Sequence, residues 1–319
     1  MKAVQFSRFG SPEVFEFVDM PAPEPAAGEV LIRVKAAGIN FFEVLMRADR
    51  YAVTPSLPMV PGVEVAGVVE AVGAGAGAQW LGARVAVPLF AIGRGAGGYA
   101  EYIAVEADGL APVPDGLAFE DAVALMVQGL TALHLLRQNP VTGKPVLVTA
   151  AAGGVGSLLI QLARREGAET IIAAAGSDSK RSLAQSLGAD IAVDYTRPGW
   201  GEQAGVGIVF DLVGGDMSKA CVAALRPEGR LVLAAMGRFS LGGADIEAML
   251  AANQSLQGFS LLPLLDGRTL RSDLTSLFRL AERGELTVLR GGAFPLAAAA
   301  DAHRAIESRD TAGKVVLLP

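Results

Sequence analysis

The 319 residues include one cysteine, two histidines and two tryptophans. Cys221 alone excludes an internal disulfide and cannot supply the thiolate clusters of a structural zinc site. Charge is scarce as well. Asp, Glu, Lys and Arg together make up 19%, the formal net charge is −6, and the basic residues are scattered, which leaves no electrostatic footprint for a phosphodiester backbone. Nucleic acid is therefore not an expected partner. No uninterrupted apolar run reaches the roughly 18 residues needed to cross a bilayer, and Met1–Gly10 lacks a basic segment followed by an apolar one. A soluble cytoplasmic protein with no membrane partner is expected. What the chain holds in excess is small and aliphatic: hydrophobic residues reach 51% while aromatics stay at 6%. That balance suits closely packed α/β layers and argues against disorder.

At about 100–200 residues per domain, the length predicts two lobes with a cleft between them. Residues 1–120 read as short strands broken by Gly and Pro: Val14–Val18, Glu29–Ala36, Val63–Val72, Arg84–Pro88 and Tyr99–Val105. That punctuation is barrel-like. From Asp121 the texture changes, and apolar runs alternate with amphipathic stretches of helix length: Val146–Ala150, Ser157–Glu166, Thr170–Ala175, Lys180–Leu187 and Ile191–Tyr195. Further strands fit Ile208–Val213 and Arg230–Ala234. Parallel strands covered on both faces read as uniformly apolar, so residues 121–261 are expected to form an α/β, doubly wound parallel sheet. In residues 262–319, helices at Leu274–Arg283 and Leu296–Glu307 and a strand at Lys314–Leu318 are expected to return to the first lobe.

The run from Val146 to Ile160 is an apolar strand, a turn of small residues and a helix start. Backbone N–H groups at a helix N-terminus can approach a pyrophosphate only where no side chain stands in the way, which is the use of Ala152, Gly153, Val155 and Gly156 here. Gly153 and Gly156 take the later places of a G-x-G-x-x-G pattern whose first glycine is Ala151. A tight strand–helix turn would use the same residues, but the strand–turn–helix–strand context favours a nucleotide. The next strand ends at Gly176-Ser177, where an NAD site would place an acid on the ribose hydroxyl. Instead Ser177 offers a hydroxyl and Lys180 a cation, a pair that tolerates a 2′-phosphate. NADP is favoured on this chemistry, although Lys180 as an ordinary surface lysine and Asp178 reaching a hydroxyl keep NAD open.

The chain resembles the quinone oxidoreductase branch of the medium-chain dehydrogenase/reductases, the group that includes zeta-crystallin. The blocks that carry the likeness span nearly the whole chain: Ala37-Gly-Ile-Asn-Phe-Phe-Glu, Pro61-Gly-Val-Glu-Val-Ala-Gly-Val-Val, Gly98-Tyr-Ala-Glu-Tyr, Gln128-Gly-Leu-Thr-Ala, Ala150-Ala-Ala-Gly-Gly-Val-Gly, Leu187-Gly-Ala-Asp, Asp211-Leu-Val-Gly-Gly and Gly313-Lys-Val-Val-Leu. The resemblance implies a GroES-like β-barrel domain, a Rossmann domain, a homodimer formed through the Rossmann sheet edges, and NADP(H) as cofactor. It also implies that Lys180 and Tyr195 hold the 2′-phosphate beside Gly176 and Ser177. Zinc-containing relatives place a Cys and a His where this chain has Asn40 and Val63, so no metal is expected, and His134 and His303 read as satisfied core or surface residues.

Hydride addition to a quinone or an enone spreads charge onto an oxygen, so positioning can be the main protein contribution. On the family likeness, Asn40 is expected to hydrogen-bond cofactor or substrate, Tyr51 to line the substrate pocket as a candidate proton donor, and Thr131 to lie near the nicotinamide. Read without that likeness, Asn40 is a turn residue, Tyr51 a packed loop aromatic and Thr131 a hydroxyl bonded to its own helix. Leu45 replaces a second tyrosine common in the family pocket, which makes the site more apolar. Two other functions are compatible with the residues: reduction of alkenals or enoyl-thioesters, and a cofactor-bound structural role without catalysis.

Overall fold

The computed structural model describes residues 1–202, 204–235 and 240–319. The chain falls into two compact units, Met1–Leu130 with Leu265–Pro319, and Thr131–Leu264. In the second unit six strands form one parallel sheet in the order Ile191–Asp194, Thr170–Ala175, Pro145–Val148, Val206–Asp211, Leu225–Leu233 and Ser255–Gly258. Numbered along the chain this is 3-2-1-4-5-6, the doubly wound order. The central strands carry almost only Val, Ile, Leu, Phe and Ala, as burial on both faces demands; all six residues of Val206–Asp211 are buried, Asp211 included. Connections reverse direction between Pro145–Val148 and Val206–Asp211, and a crevice opens at the carboxyl ends of strands at such a switch point.

The strands of the first unit are mostly antiparallel. Glu29–Ile39 is its hub, pairing with Val65–Val72, with Tyr102–Glu106 and with the C-terminal strand Lys314–Leu318. Alternate residues Val30, Ile32 and Val34 point into the core, Ala37 and Ile39 do so beyond a register shift, and Tyr99, Leu89, Val105 and Leu317 meet them there. The helix Phe119–Ala124 packs on Glu29–Ile39 and Val65–Val72, so the first helix beyond the barrel strands belongs to this unit. The helical run Phe119–Gln138 has the length and apolarity of a membrane span, yet 61% of its apolar 18-residue stretch is buried inside the protein. It is a core element, broken at Leu125–Gly129 by a wider π-turn.

Two polar clusters are built into this otherwise aliphatic unit. In one, His303 is fully buried with Nε2 3.1 Å from the Tyr99 hydroxyl and Nδ1 3.3 Å from the Arg47 guanidinium. Arginine can only donate, so Nδ1 accepts and the ring proton sits on Nε2. Burial, and secondarily Arg47, push the His303 pKa down to about 3. In the other cluster, the register Val315↔Ile39 brings Lys314 beside Asn40. The Lys314 ammonium donates to Asn40 Oδ1 at 2.7 Å and forms a short ion pair with Glu64, and all three side chains are buried. A buried cation removed from such a pair leaves its carboxylate uncompensated. Lys314→Met is therefore expected to destabilise the protein by roughly 3–5 kcal/mol in urea unfolding, and pairing it with Glu64→Gln to recover part of that loss.

Candidate functional site

The strand Pro145–Val148 runs into Thr149 and Ala150, and Ala150 takes a left-handed φ of 46° before the helix Gly154–Arg165 begins. Such a conformation is costly for a residue with a Cβ and marks a constrained turn. Gly156 is a site of close approach: a Cβ there would lie 2.4 Å from the Ala150 carbonyl oxygen. Helix and turn are thus as near as glycine allows, and the first N–H groups of the helix face the strand end. The helix is 12 residues long, has no acidic residue in its first turn and carries Arg164 and Arg165 in its last. Its dipole is compensated at the C-terminus and available to an anion at the N-terminus. Ala152 is buried, while Gly153 and Val155 stay partly open.

One strand over, the register pairs Asp194 with Ala175, so the residues that follow, Tyr195 and Gly176, come together. A Cβ at Gly176 would lie 2.8 Å from the Tyr195 hydroxyl oxygen, which means the phenol rests on the glycine backbone. Ser177 caps the helix Asp178–Ser186, its Oγ accepting the Lys180 backbone N–H at 3.4 Å. Lys180 lies in the first turn of that helix. Asp178 does not stand alone as an acceptor for a ribose: Arg181 forms a short ion pair with it and a second one, at 3.2 Å, with Asp194. Asp194 is held below the usual carboxylate range, first by the hydrogen bonds from Thr196 and then by Arg181 and Arg197. Three of the residues expected at a 2′-phosphate, Gly176, Ser177 and Tyr195, thus lie at this strand end with Lys180 one turn along, and the acids Asp178 and Asp194 are both paired with Arg181. Glycine-lined N–H groups, a hydroxyl pair and an ammonium are the donor set that a phosphorylated dinucleotide requires.

A neighbouring arrangement was not legible in the sequence. Asp211 ends the strand across the switch point, fully buried, and accepts from the Val213 and Gly214 N–H groups at 2.9 Å and from the Ser218 hydroxyl at 2.6 Å. It also takes the Thr149 hydroxyl at 3.3 Å, tying the two strand ends that flank the crevice. Its carboxylate raises the pKa of Cys221, second to the burial of that thiol. Thr131 opens the second unit's first helix, Leu130–Gln138, half-buried.

Asn40, in the first unit, caps the short helix Phe41–Arg47 and is only 4% exposed. Its amide donates to Glu43 at 3.1 Å and to Glu64 at 2.8 Å, and its oxygen accepts from Lys314. Both N–H groups are therefore committed inside the protein, and only the second lone pair of Oδ1 is left to offer. The amide orientation follows from Lys314, since an ammonium only donates and therefore faces Oδ1. Glu43 further receives the Asn40 backbone N–H at 2.8 Å and the Gly62 N–H at 3.0 Å; Glu64 receives the Val127 N–H at 2.8 Å. Tyr51 lies in the loop beyond the helix, half-buried, its ring 5.5 Å from that of Phe42. Partial burial raises its pKa, so the phenol stays protonated at neutral pH. Leu45 is buried on the helix. Val63, the other position of interest for a metal, is buried, and among the described residues no three His, Cys, Asp or Glu side chains converge.

Glu43 is the anomalous acid of this cluster. Burial pushes its pKa up to about 7, with Lys314 and the Asn40 backbone N–H pulling the other way and Glu64 adding to the rise. A carboxyl whose folded pKa lies above its unfolded value binds its proton more tightly in the native state, so it favours the fold at low pH and loses that contribution as pH rises from about 4.5 to 7. A shift of this size corresponds to roughly 3 kcal/mol. Denaturant unfolding of the wild type and of Glu43→Gln at pH 5 and pH 8 is expected to show the variant gaining on the wild type at the higher pH.

Comparison with known proteins bears on both units. Residues 26–115 match the alcohol dehydrogenase GroES-like domain, and residues 187–317 match the family model described as zinc-binding dehydrogenase. A quinone oxidoreductase of Pseudomonas aeruginosa is 34% identical over 100% of this chain and 99% of its own. Among solved structures, an Escherichia coli quinone oxidoreductase complexed with NADPH superposes with a TM-score of 0.89 at 29% identity, covering all of both chains. An NAD-dependent alcohol dehydrogenase gives a TM-score of 0.89 at 32% identity, again over both full chains. Taken with the GroES-like unit and the 3-2-1-4-5-6 parallel sheet, a full-length relative at this identity places the chain in the quinone oxidoreductase family of the medium-chain dehydrogenase/reductases.

Proposed function

We propose that this protein is an NADPH-dependent reductase of quinones or other conjugated carbonyls that transfers hydride without a metal. The observation that carries the cofactor assignment is the strand end at Gly176: the Tyr195 hydroxyl rests on the glycine, Ser177 and Lys180 follow, and the nearby acids Asp178 and Asp194 are both paired with Arg181. Tyr195, Ser177 and Lys180 hold the 2′-phosphate, and the turn from Ala152 to Gly156 receives the pyrophosphate. The NADPH carried by the Escherichia coli relative supports this reading. Likeness to an NAD-dependent dehydrogenase follows from the shared fold, whereas the choice between the cofactors depends on a few side chains at one strand end.

When bound, the cofactor supplies a hydride from its nicotinamide ring. Asn40, locked by Glu43, Glu64 and Lys314, offers one oxygen lone pair in a fixed direction and acts by positioning. Tyr51, kept neutral, is the candidate proton donor, and Thr131 contacts the cofactor. The absence of a metal role is argued from the donor set: at the two places where relatives carry ligands, a valine is buried and an asparagine oxygen holds an ammonium ion. We read the protein as soluble and cytoplasmic.

We also propose a homodimer built on the edge strand Ser255–Gly258. Leu256 on that strand and Ile246, Leu250 and Leu262 nearby in sequence are exposed, Leu250 to 71% and Leu262 to 58%. An unpaired strand edge with exposed leucines invites a second copy. Sedimentation should give a dimer for the wild type and a shift toward monomer for Leu250→Glu with Leu256→Lys.

Titration with the two reduced cofactors tests the central reading. The wild type is expected to bind NADPH far more tightly than NADH. Lys180→Met and Tyr195→Phe are each expected to weaken NADPH by about 10- to 100-fold while leaving NADH nearly unchanged. Equal binding of both cofactors by the wild type would remove the proposal.

A further inference from the structure

Two acids stand at the strand end proposed to take a 2′-phosphate. The register Asp194↔Ala175 sets Asp194 there, immediately before Tyr195, and Asp178 opens the helix that Ser177 caps. An acid at this place in a dinucleotide site accepts a free 2′-hydroxyl and repels a 2′-phosphate. Asp194 is ionised at neutral pH, because the Thr196 hydrogen bonds and then Arg181 and Arg197 hold it below the usual carboxylate range. Arg181 stands between the two acids. One turn into the helix Asp178–Ser186, its Nη2 forms a short ion pair with Asp178, and its Nη1 lies 3.2 Å from an Asp194 carboxylate oxygen. Nη1 also donates, at 3.4 Å, to the carbonyl of Ala175, the residue before Gly176. A charge pair three residues apart on one helix is ordinary, but this arginine also reaches the neighbouring strand, and its side chain is only 15% exposed. Arg197 pairs with Asp194 as well, at 3.5 Å, from a side chain that is 78% exposed and so strongly screened.

Resting on the reading of the protein as an NADPH-dependent reductase, we infer that Arg181 is a positioning residue that sets cofactor specificity through the two acids: it neutralises Asp178 and Asp194 so that the strand end accepts a 2′-phosphate. The geometry selects this role over direct capture of the phosphate, since both terminal nitrogens of the guanidinium are directed at acceptors of the protein itself. With Arg181 in place, the two carboxylates are outnumbered by Lys180, Arg181 and Arg197. With a neutral side chain there, the acids lose the partner they share, and the arginine that remains is the exposed one. What is left is then the chemistry of an NAD site, carboxylates beside a ribose hydroxyl. Specificity is a difference of two affinities, and repulsion of one ligand sets it as effectively as attraction of the other.

The test uses two ligands that differ only by the phosphate in question, 2′,5′-ADP and 5′-AMP, each titrated calorimetrically into the whole protein. The wild type should prefer 2′,5′-ADP. Arg181→Gln should lower that preference by about 10- to 100-fold, through weaker binding of 2′,5′-ADP with 5′-AMP nearly unchanged. Adding Asp178→Asn and Asp194→Asn to Arg181→Gln should return most of the lost affinity, because asparagine keeps the shape of each acid without its charge. The two asparagine substitutions with Arg181 retained should tighten 2′,5′-ADP beyond the wild type, a gain that a disturbed fold does not give and that keeps the test decisive if Arg181→Gln fails to fold. Wild-type preference in a folded Arg181→Gln variant overturns the inference. So does a triple variant that recovers nothing, which would make Arg181 a direct ligand of the phosphate. Equal binding of the two ligands by the wild type overturns the cofactor reading on which the inference rests.

Discussion

Unmet N–H groups at the start of the helix Gly154–Arg165 are the constraint around which the second unit is arranged. A helix leaves its first N–H groups without acceptors, and this one has no acid in its first turn and two arginines in its last. Gly156 lets the turn sit against the helix, and the 3-2-1-4-5-6 strand order sets that turn at a crevice. Asp211 then stiffens the opposite wall by gathering Thr149, Ser218 and two backbone N–H groups. One strand further out, the pairing of Asp194 with Ala175 decides that Tyr195 meets Gly176. That register decides which side chains meet at the end of this strand pair.

The first unit follows a different logic. In a chain with 19% charged residues, two carboxylates, an ammonium and an asparagine amide are placed together inside an aliphatic barrel. Replacing such a cluster with apolar side chains is often neutral for stability, so its value here is positional. It fixes Asn40 through three partners, ties the C-terminal strand to the barrel's hub and accepts the Val127 N–H of the π-turn. The cluster around His303 plays the corresponding structural part, joining Arg47 and Tyr99 to the helix Ala299–Glu307.

Much of this was legible from residue order, and the rest failed for identifiable reasons. Thr170–Ala175 and Lys314–Leu318 are strands at the residues expected, because each is an apolar run bounded by turn residues. Arg290–Pro295 and Ser255–Gly258 escaped notice: the first contains two glycines and the second is a polar edge strand, so neither shows a strand's pattern. Leu225–Leu233 begins five residues before the expected Arg230, across a Pro and a Gly that read as a turn. The small residues before the helix Gly154–Arg165 were legible as a close strand–helix approach, and Gly156 lies at one. Glu43, Glu64, Lys314 and Asp211 stood inside recognisable blocks, yet a lone charge in an apolar run reads as solvated. Only strand pairing across 250 positions brings Lys314 to Glu64, and no local pattern contains it. The hydrogen bond from the Val127 N–H to Glu64 is likewise invisible in the sequence.

Phosphorus NMR of the bound cofactor tests the account at its centre. The 2′-phosphate of free NADPH titrates with a pKa of about 6. Held between an ammonium and two hydroxyls, it should remain dianionic well below that pH, and its resonance should cease to follow the free cofactor's titration. A bound 2′-phosphate that titrates as it does in solution would mean that Ser177, Lys180 and Tyr195 do not hold it.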